Sequence, residues 1–264
     1  MRYRALTAFS ACLCLLTWGG RASADFIIDE NFDGAMQLQD GGAVFRLGGI
    51  GMGMGTGMWI THMSMGMFPA MWILNQQQMM GMGGFLESMP GMMGMMMGEW
   101  GKTVAYFVAK PRTGWSGDQL DLMFDYELFS PGGAGAWARF GVYGWPGPAD
   151  VYLDSPTLGT VGMLLIGGML PFGMNPVGQG LAGLDASGLL QQPTWLSAGG
   201  SSTGDLSGYE FLGLAFTVGG PDGSTAPDIG IDSVRLNLSP EPTTMALGAI
   251  GLAVAGLLRR RRRK

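Results

Sequence analysis

The side chains best suited to chemistry lie in a stretch rich in methionine and glycine, residues 48–101. It holds 16 of the chain's 23 methionines and its single histidine, His62, which is followed by Met63, Met65 and Met67. Thioether sulfur is a soft ligand that suits Cu(I), so this cluster predicts a copper site. Methionine is also a flexible apolar filler, and Gly/Met repeats are typical of low-complexity sequence. The alternative prediction is a surface insertion or irregular hydrophobic lobe without metal.

Two parts of this stretch differ in composition. Residues 58–74 contain enough aromatic and β-branched side chains to pair as strands. We expect residues 79–98, which are mostly Gly and Met, to be mobile, with methionines that are easily oxidised to the sulfoxide.

Paired carboxylates are the remaining route to catalysis, since glycoside hydrolysis needs two of them across a cleft. Asp121, Asp125 and Glu127 share one face of a predicted strand, but their spacing departs from the E-x-D-x-x-E pattern of sandwich-fold glycosidases. Neither an H-E-x-x-H motif nor a P-loop occurs in the chain. We therefore interpret the three carboxylates as solvated surface charge and predict that the protein is not an enzyme.

Aromatic side chains cluster in the middle of the chain. Flat rings stack on sugar faces when they are exposed, and Trp115 and Trp145 are the candidates for carbohydrate contact. Trp145 stands between Gly144 and Pro146, which favours presentation on a loop. Trp137 begins a predicted strand, so we expect it in the core.

The elements that must position these residues are short strands. Residues 119–129 alternate strictly, with apolar side chains on one face and Asp, Met and Glu on the other, which predicts a half-buried antiparallel strand. Similar runs occur at 103–110, 136–143, 160–166, 211–218 and 229–238, separated by Gly, Pro, Ser and Asp clusters. Many short strands without βαβ alternation predict an all-β, jelly-roll-like antiparallel β-sandwich over residues 25–239.

The N-terminal segment has the pattern of a secretory signal peptide over residues 1–24. A basic start with Arg2 and Arg4 precedes an apolar run at 5–18 and small residues at 22–24. Both cysteines, Cys12 and Cys14, fall within it. The exported chain is therefore expected to carry neither a thiol nor a disulfide.

The C-terminal segment, residues 240–264, has three parts in order. They are Pro240, Glu241 and Pro242; an apolar run, predicted as a transmembrane helix, at 245–258; and the basic tail Arg259, Arg260, Arg261, Arg262, Arg263 and Lys264. At about 1.5 Å per residue, the 14-residue run is about 21 Å long, shorter than the roughly 30 Å hydrocarbon core of a bilayer. The tail cations indicate a cytoplasmic end. The alternative is a plain single-span anchor.

This tripartite tail resembles the PEP-CTERM sorting signal. The resemblance covers only the tail, and it implies recognition and cleavage by an exosortase close to Pro240–Pro242. It also implies association of the released domain with exopolysaccharide.

Charge narrows the class of partners. Without residues 1–24 and the apolar run and basic tail at 245–264, the chain keeps six Lys and Arg against all 20 Asp and Glu, a net charge of −14 instead of −5. Such a charge repels phosphate backbones, so nucleic-acid binding is not expected. It also makes divalent cations plausible partners.

A second, shorter resemblance concerns residues 26–33 and 228–236. They look like the first and last strands of the jelly-roll domains of carbohydrate-binding modules and many exported bacterial proteins. That resemblance implies a structural calcium ion between the two strands, with Glu30, Asp33 and Asp232 as oxygen ligands. Alternation places Asp232 on the core face with Val234. The alternative is that Asp232 pairs with a backbone N–H or with Arg235.

The sequence thus predicts an exported, non-enzymatic cell-surface or matrix protein, with only transient anchoring in the inner membrane. Its expected partners are signal peptidase, the secretion machinery, an exosortase and exopolysaccharide. Two alternatives stay open at this point: a carbohydrate-binding module with structural calcium, and a methionine-rich periplasmic copper-binding protein.

Overall fold

A computed structural model describes residues 25–33, 38–42, 44–48, 56–62, 71–75, 84–89, 100–153, 158, 162–170, 195–220 and 226–239. This part of the chain is built from strands alone, which confirms the all-β prediction. The strands are β1 (Asp25–Glu30), β2 (Gln39–Asp40), β3 (Val44–Arg46), β4 (Trp59–Thr61), β5 (Met71–Asn75), β6 (Phe85–Met89), β7 (Trp100–Ala109), β8 (Gln119–Ser130), β9 (Trp137–Trp145), β10 (Asp150–Tyr152), β11 (Met163–Met169), β12 (Leu196–Thr203), β13 (Phe211–Gly220) and β14 (Asp228–Ser239).

Several predictions fall outside the described residues. These are the signal peptide at 1–24, the cluster Met63, Met65 and Met67, and the sorting segment at 240–264. Within the residues described, no helix is long and apolar enough to cross a membrane.

Six strands form one layer, here called the front sheet, in the order β12-β8-β14-β6-β5 with β1 also on β14. One edge of β14 pairs with β8 from Asp228 to Ser239. Its other edge is shared, because β6 pairs with residues 230–231 and β1 with residues 234–238. β14 is therefore the central strand of this layer.

Six further strands form the back sheet, in the order β11-β9-β13-β7-β4-β2. Its pairs are antiparallel except for β2 and β4, which are parallel. β13 is buried along almost its whole length, from Leu212 to Gly220. A strand that is buried on both faces carries a continuous apolar run instead of an alternating one.

The main core lies between the two sheets. Phe124 of the front sheet packs edge-on against Phe140 and Phe216 of the back sheet, with ring centroids 5.0 and 4.9 Å apart. Leu122, Tyr126 and many aliphatic side chains complete this cluster. Two layers that bury a common apolar interior make the domain a β-sandwich.

A third layer covers part of the back sheet. Strands β3 and β10 form a two-stranded ribbon. Phe45 of this ribbon stacks on Phe107 at 4.9 Å, and Val151 joins the same buried cluster. The back sheet is thus buried on both sides where the ribbon lies.

The stretch at 48–101 is part of the sandwich where it is described, not an addition to it. It supplies β4 to the back sheet and β5 and β6 to the front sheet. Trp59, Trp72 and Leu86 from these strands are completely buried in the main core. Strand formation within 58–74 is confirmed. For residues 85–89 the expected mobility is wrong, because apolar Phe85 and Leu86 are buried within a paired strand.

Candidate functional site

The predicted calcium ligands do not converge. Asp232 pairs with Asp125 on the outer face of the front sheet, the side turned away from the back sheet. The reason is a β-bulge between Asp232 and Arg235, with Ser233 in the left-handed region at φ 51°. The extra residue reverses the alternation, so the predicted core-facing position of Asp232 is wrong.

Glu30 lies on the opposite side of the front sheet from Asp232. It pairs with the buried Val234. The pKa of Tyr106 in the back sheet is raised, mainly by desolvation and further by the nearby Glu30 carboxylate. The Asp33 carboxylate instead lies close enough to Asp232 to contribute to the raised pKa of Asp232. Among the described residues, no three His, Cys, Asp or Glu side chains are grouped closely enough to hold a metal ion.

The alternative prediction, in which Asp232 pairs with a backbone N–H, is confirmed. The backbone N–H of Ser233 donates to Asp232 Oδ1 at 2.6 Å. Arg235 pairs with Asp29 instead, at 3.3 Å. The pKa of Asp232 is raised, mainly by desolvation and further by Asp33 and Asp125, while the Ser233 bond opposes the rise. The calcium prediction therefore has no geometric support in this region.

Of the two predicted sugar-binding tryptophans, Trp145 is a core residue, whereas Trp115 is partly exposed. Trp145 ends β9 and is 0% exposed, packed against Phe107 under the ribbon. Its predicted display on a loop is therefore wrong. Trp115 is half-buried against the main core, and its Nε1 donates to the Tyr209 carbonyl oxygen at 2.9 Å. Trp137 is buried, as predicted.

His62 is buried directly after β4, and its Nδ1 donates to the Gly42 carbonyl oxygen at 2.9 Å. That bond holds the ring in one orientation. The methionines that follow it in sequence lie outside the described residues, so the copper prediction has no structural test here.

The three carboxylates of β8 do share the outer face of the front sheet, as predicted. Asp121 accepts from Gln119 Nε2 at 2.9 Å, and Asp125 accepts from Ser197 Oγ at 2.6 Å. Glu127, however, is only 3% exposed. Its interpretation as a solvated surface charge is wrong.

Three aromatic rings account for the burial around Glu127. Glu127 pairs with Gly230, and the antiparallel register places Trp195, which precedes β12, beside it. A methyl group at Gly230 would lie 3.0 to 3.1 Å from the rings of Phe85, Phe129 and Trp195. Because glycine leaves that space open, the three rings converge over the strand.

The rings also contact each other. Phe85 lies 5.6 Å from Phe129 and 5.6 Å from Trp195, the latter in an edge-to-face arrangement. Phe85 is buried beneath the cluster, whereas Phe129 and Trp195 are only partly buried. Edge-to-face packing fixes ring orientation, so the exposed parts form a rigid apolar surface.

A second glutamate flanks the same glycine. Glu87 of β6 pairs with Gly230 on the side opposite Glu127, so about 9.5 Å separates the two glutamate backbones across three strands. The Asn75 side-chain amide donates a short hydrogen bond to Glu87 Oε2. This bond fixes the direction of the Glu87 carboxylate.

Asp228 completes the group. Ser88 Oγ donates to the Pro227 carbonyl oxygen at 3.1 Å and accepts from the Ile229 N–H at 3.0 Å, which clamps the backbone on both sides of Asp228. Desolvation, reinforced by the nearby Glu87 carboxylate, raises the pKa of Asp228 to about 7. Asp228 Oδ1 is buried without a hydrogen-bond partner among the described residues.

We call Phe85, Glu87, Glu127, Phe129, Trp195 and Asp228 the aromatic–carboxylate face. Its exposed ring surfaces suit the C–H faces of a sugar, and the partly exposed Glu87 and Asp228 carboxylates can accept hydrogen bonds from hydroxyl groups. Near neutral pH Asp228 is partly protonated, so it can also donate. A rigid apolar surface with a few fixed polar groups is typical of a small-molecule or glycan site.

Sequence reasoning missed Trp195, Phe129, Phe85, Glu87 and Asp228 as one group. Only Trp195 carried a local signal, as an aromatic residue between a proline and a Gly/Ser-rich run. The others converge through pairing between strands that are distant in sequence.

No family model and no curated protein matches this sequence. Among solved structures, it is similar to a cleaved adhesin domain of Lys-gingipain from Porphyromonas gingivalis, at 13% identity over 80% of this chain and 98% of that chain, with a TM-score of 0.35. It is also similar to the CBM22-1 xylan-binding domain from Paenibacillus barcinonensis, at 10% identity over 84% and 99% of the two chains, with a TM-score of 0.36. At these values the matches say nothing about what this chain binds.

Proposed function

We propose that this protein is an exported, non-enzymatic cell-surface or matrix protein that binds polysaccharide through its aromatic–carboxylate face. The observation that carries the proposal is the pair of partly buried rings, Phe129 and Trp195, fixed over Gly230 beside Glu87 and Asp228. Ring surfaces stack on sugars, and fixed carboxylates select the orientation of the hydroxyl groups.

The sequence supports the location. The N-terminal segment has the pattern of a signal peptide, and the PEP-CTERM-like tail resembles a substrate of an exosortase. Systems of that kind serve bacteria with exopolysaccharide matrices, so exopolysaccharide is the proposed ligand class. A jelly-roll-like sandwich carried outside the cell fits that role.

Co-sedimentation of the purified protein with exopolysaccharide from the producing organism tests the proposal. We expect saturable retention, and about fivefold weaker binding for Trp195→Ala, because one ring contact contributes about 1 kcal/mol. Tyr152→Ala is the matched control, since Tyr152 is 48% exposed but lies on the ribbon strand β10. Circular dichroism must show that both variants remain folded.

Three results would contradict the proposal. They are absence of retention, equal retention of the wild type and Trp195→Ala, and equal losses in the two variants. The non-enzymatic part has its own test, which is the release of reducing ends during prolonged incubation. Release that disappears in Asp228→Asn or Glu87→Gln would instead make the face a hydrolytic site.

A further inference from the structure

Four methionines occupy unusual positions for an apolar residue. Met58, Met123, Met163 and Met169 are 40, 60, 61 and 61% exposed, respectively. Among the side chains whose burial the structure describes, the buried core consists of Leu, Ile, Val, Phe, Trp, Tyr and Ala, without a methionine. Methionine is ordinarily among the most buried residue types, so packing in a core does not explain these four.

Exposure gives these side chains a reactivity that core methionines lack. The thioether sulfur reacts with peroxide to form methionine sulfoxide, a reversible modification. In this step an S–O bond forms, the O–O bond of hydrogen peroxide breaks, sulfur loses two electrons to the peroxide, and water leaves. Each site consumes one peroxide.

We propose that Met58, Met123, Met163 and Met169 are oxidation sites at which the protein consumes peroxide and keeps its fold. Sulfoxide formation disrupts a structure when it introduces a polar group into a core. Here the sulfur atoms lie outside both buried clusters. The aliphatic residues that stabilise the sandwich have no comparable reactive atom.

The positions of the sites agree with oxidation that leaves the fold intact. Met123 lies on the outer face of the front sheet, where it pairs with Arg235 and with Gly199, which lacks a side chain. Met163 and Met169 are the two ends of β11, the edge strand of the back sheet. A polar oxygen at any of these places can face water.

One contact supplies an internal comparison. Tyr209 Oη donates a hydrogen bond to Met163 Sδ at 2.9 Å. The hydrogen bond engages a lone pair of the sulfur, and that lone pair is the nucleophile that attacks the peroxide. Met163 and Met169 are equally exposed, so we infer that Met163 reacts more slowly for this reason alone.

The experiment is a time course of the purified protein in hydrogen peroxide, followed by peptide mass spectrometry. We expect Met123 and Met169 to gain one oxygen at a rate close to that of free methionine, and Met163 to gain it about two- to tenfold more slowly. Tyr209→Phe should bring Met163 to the rate of Met169. Equal rates of Met163 in the wild type and Tyr209→Phe would contradict the role of the hydrogen bond.

The fold is measured on the same samples. We expect the circular dichroism spectrum and the melting midpoint to change little once the four sites are oxidised, and methionine sulfoxide reductase to restore the original mass. In the variant with all four sites changed to Leu, peroxide uptake should fall by four equivalents. Resistance of the four sites, or unfolding that accompanies their oxidation, would overturn the proposal.

Discussion

Asp232 and Val234 lie on opposite faces of β14. Residues two positions apart in a regular strand lie on the same face. Asp232 pairs with Asp125 on the outer face, whereas Val234 is completely buried between the sheets. A β-bulge reverses the alternation between them, and its residue Ser233 adopts the left-handed conformation at φ 51°. The same bulge marks where β6 ends along this edge of β14 and where β1 begins.

Substitution of Ser233 tests the bulge. Ser233→Val should lower the free energy of unfolding by about 2 kcal/mol, because a β-branched residue is strained in the left-handed region. Ser233→Gly should leave it within about 1 kcal/mol, since glycine adopts this conformation without strain. Urea denaturation measures both. Equal stability of the two variants would mean that the left-handed conformation is not required.

Gly230→Ala tests the convergence of the three rings. The added methyl group would lie within 3.1 Å of Phe85, Phe129 and Trp195, so we expect a loss of about 1 to 3 kcal/mol in unfolding free energy. Polysaccharide binding should weaken as well, because Trp195 must move. Gly204→Ala is the control, since a methyl group at Gly204 meets nothing within 4 Å. A Gly230→Ala variant as stable and as tightly bound as the wild type would refute this arrangement.

Asp228→Asn should make stability less dependent on pH. The pKa of Asp228 is raised from 3.8 to about 7, so between those values the folded protein binds more protons than the unfolded chain. Its unfolding free energy therefore falls as pH rises from about 4 to about 7. We expect the variant to be more stable than the wild type at pH 8, by about 1 to 2 kcal/mol after allowance for solvent screening, and equal near pH 4.

Asp205→Asn is the control for that titration. Hydrogen bonds from Ser207 lower the pKa of Asp205, so removal of its charge should bring no gain at pH 8. Thermal melts of both variants at several pH values make the comparison. A gain for Asp228→Asn that is constant between pH 4 and pH 8 would show that ionisation is not its cause.

Trp145→Ala tests the burial of Trp145 beneath the ribbon. Removal of an indole that is 0% exposed should cost about 3 to 5 kcal/mol of stability. Trp115 is only half-buried, so Trp115→Ala should cost less. The two midpoints in urea decide the order. If Trp115→Ala were the more damaging change, Trp145 could not be the core residue.

The strands themselves were predictable because alternation is a local property. The run at 119–129 corresponds to β8 at Gln119–Ser130, and the run at 211–218 to β13 at Phe211–Gly220. The run at 160–166 matches less well, since β11 is Met163–Met169. Its glycines weaken the pattern that marks a strand.

By itself, the sequence determined the all-β class, the approximate strands and the acidic character of the body, because composition and period-2 alternation need no knowledge of distant residues. Only the tertiary structure decided which aromatic rings are exposed. Trp145 is buried because a ribbon from elsewhere in the chain covers it, while Trp195 meets Glu127 and Gly230 through the pairing of β12, β8 and β14. Burial depends on what packs against a residue, and alternation along one strand does not contain that information.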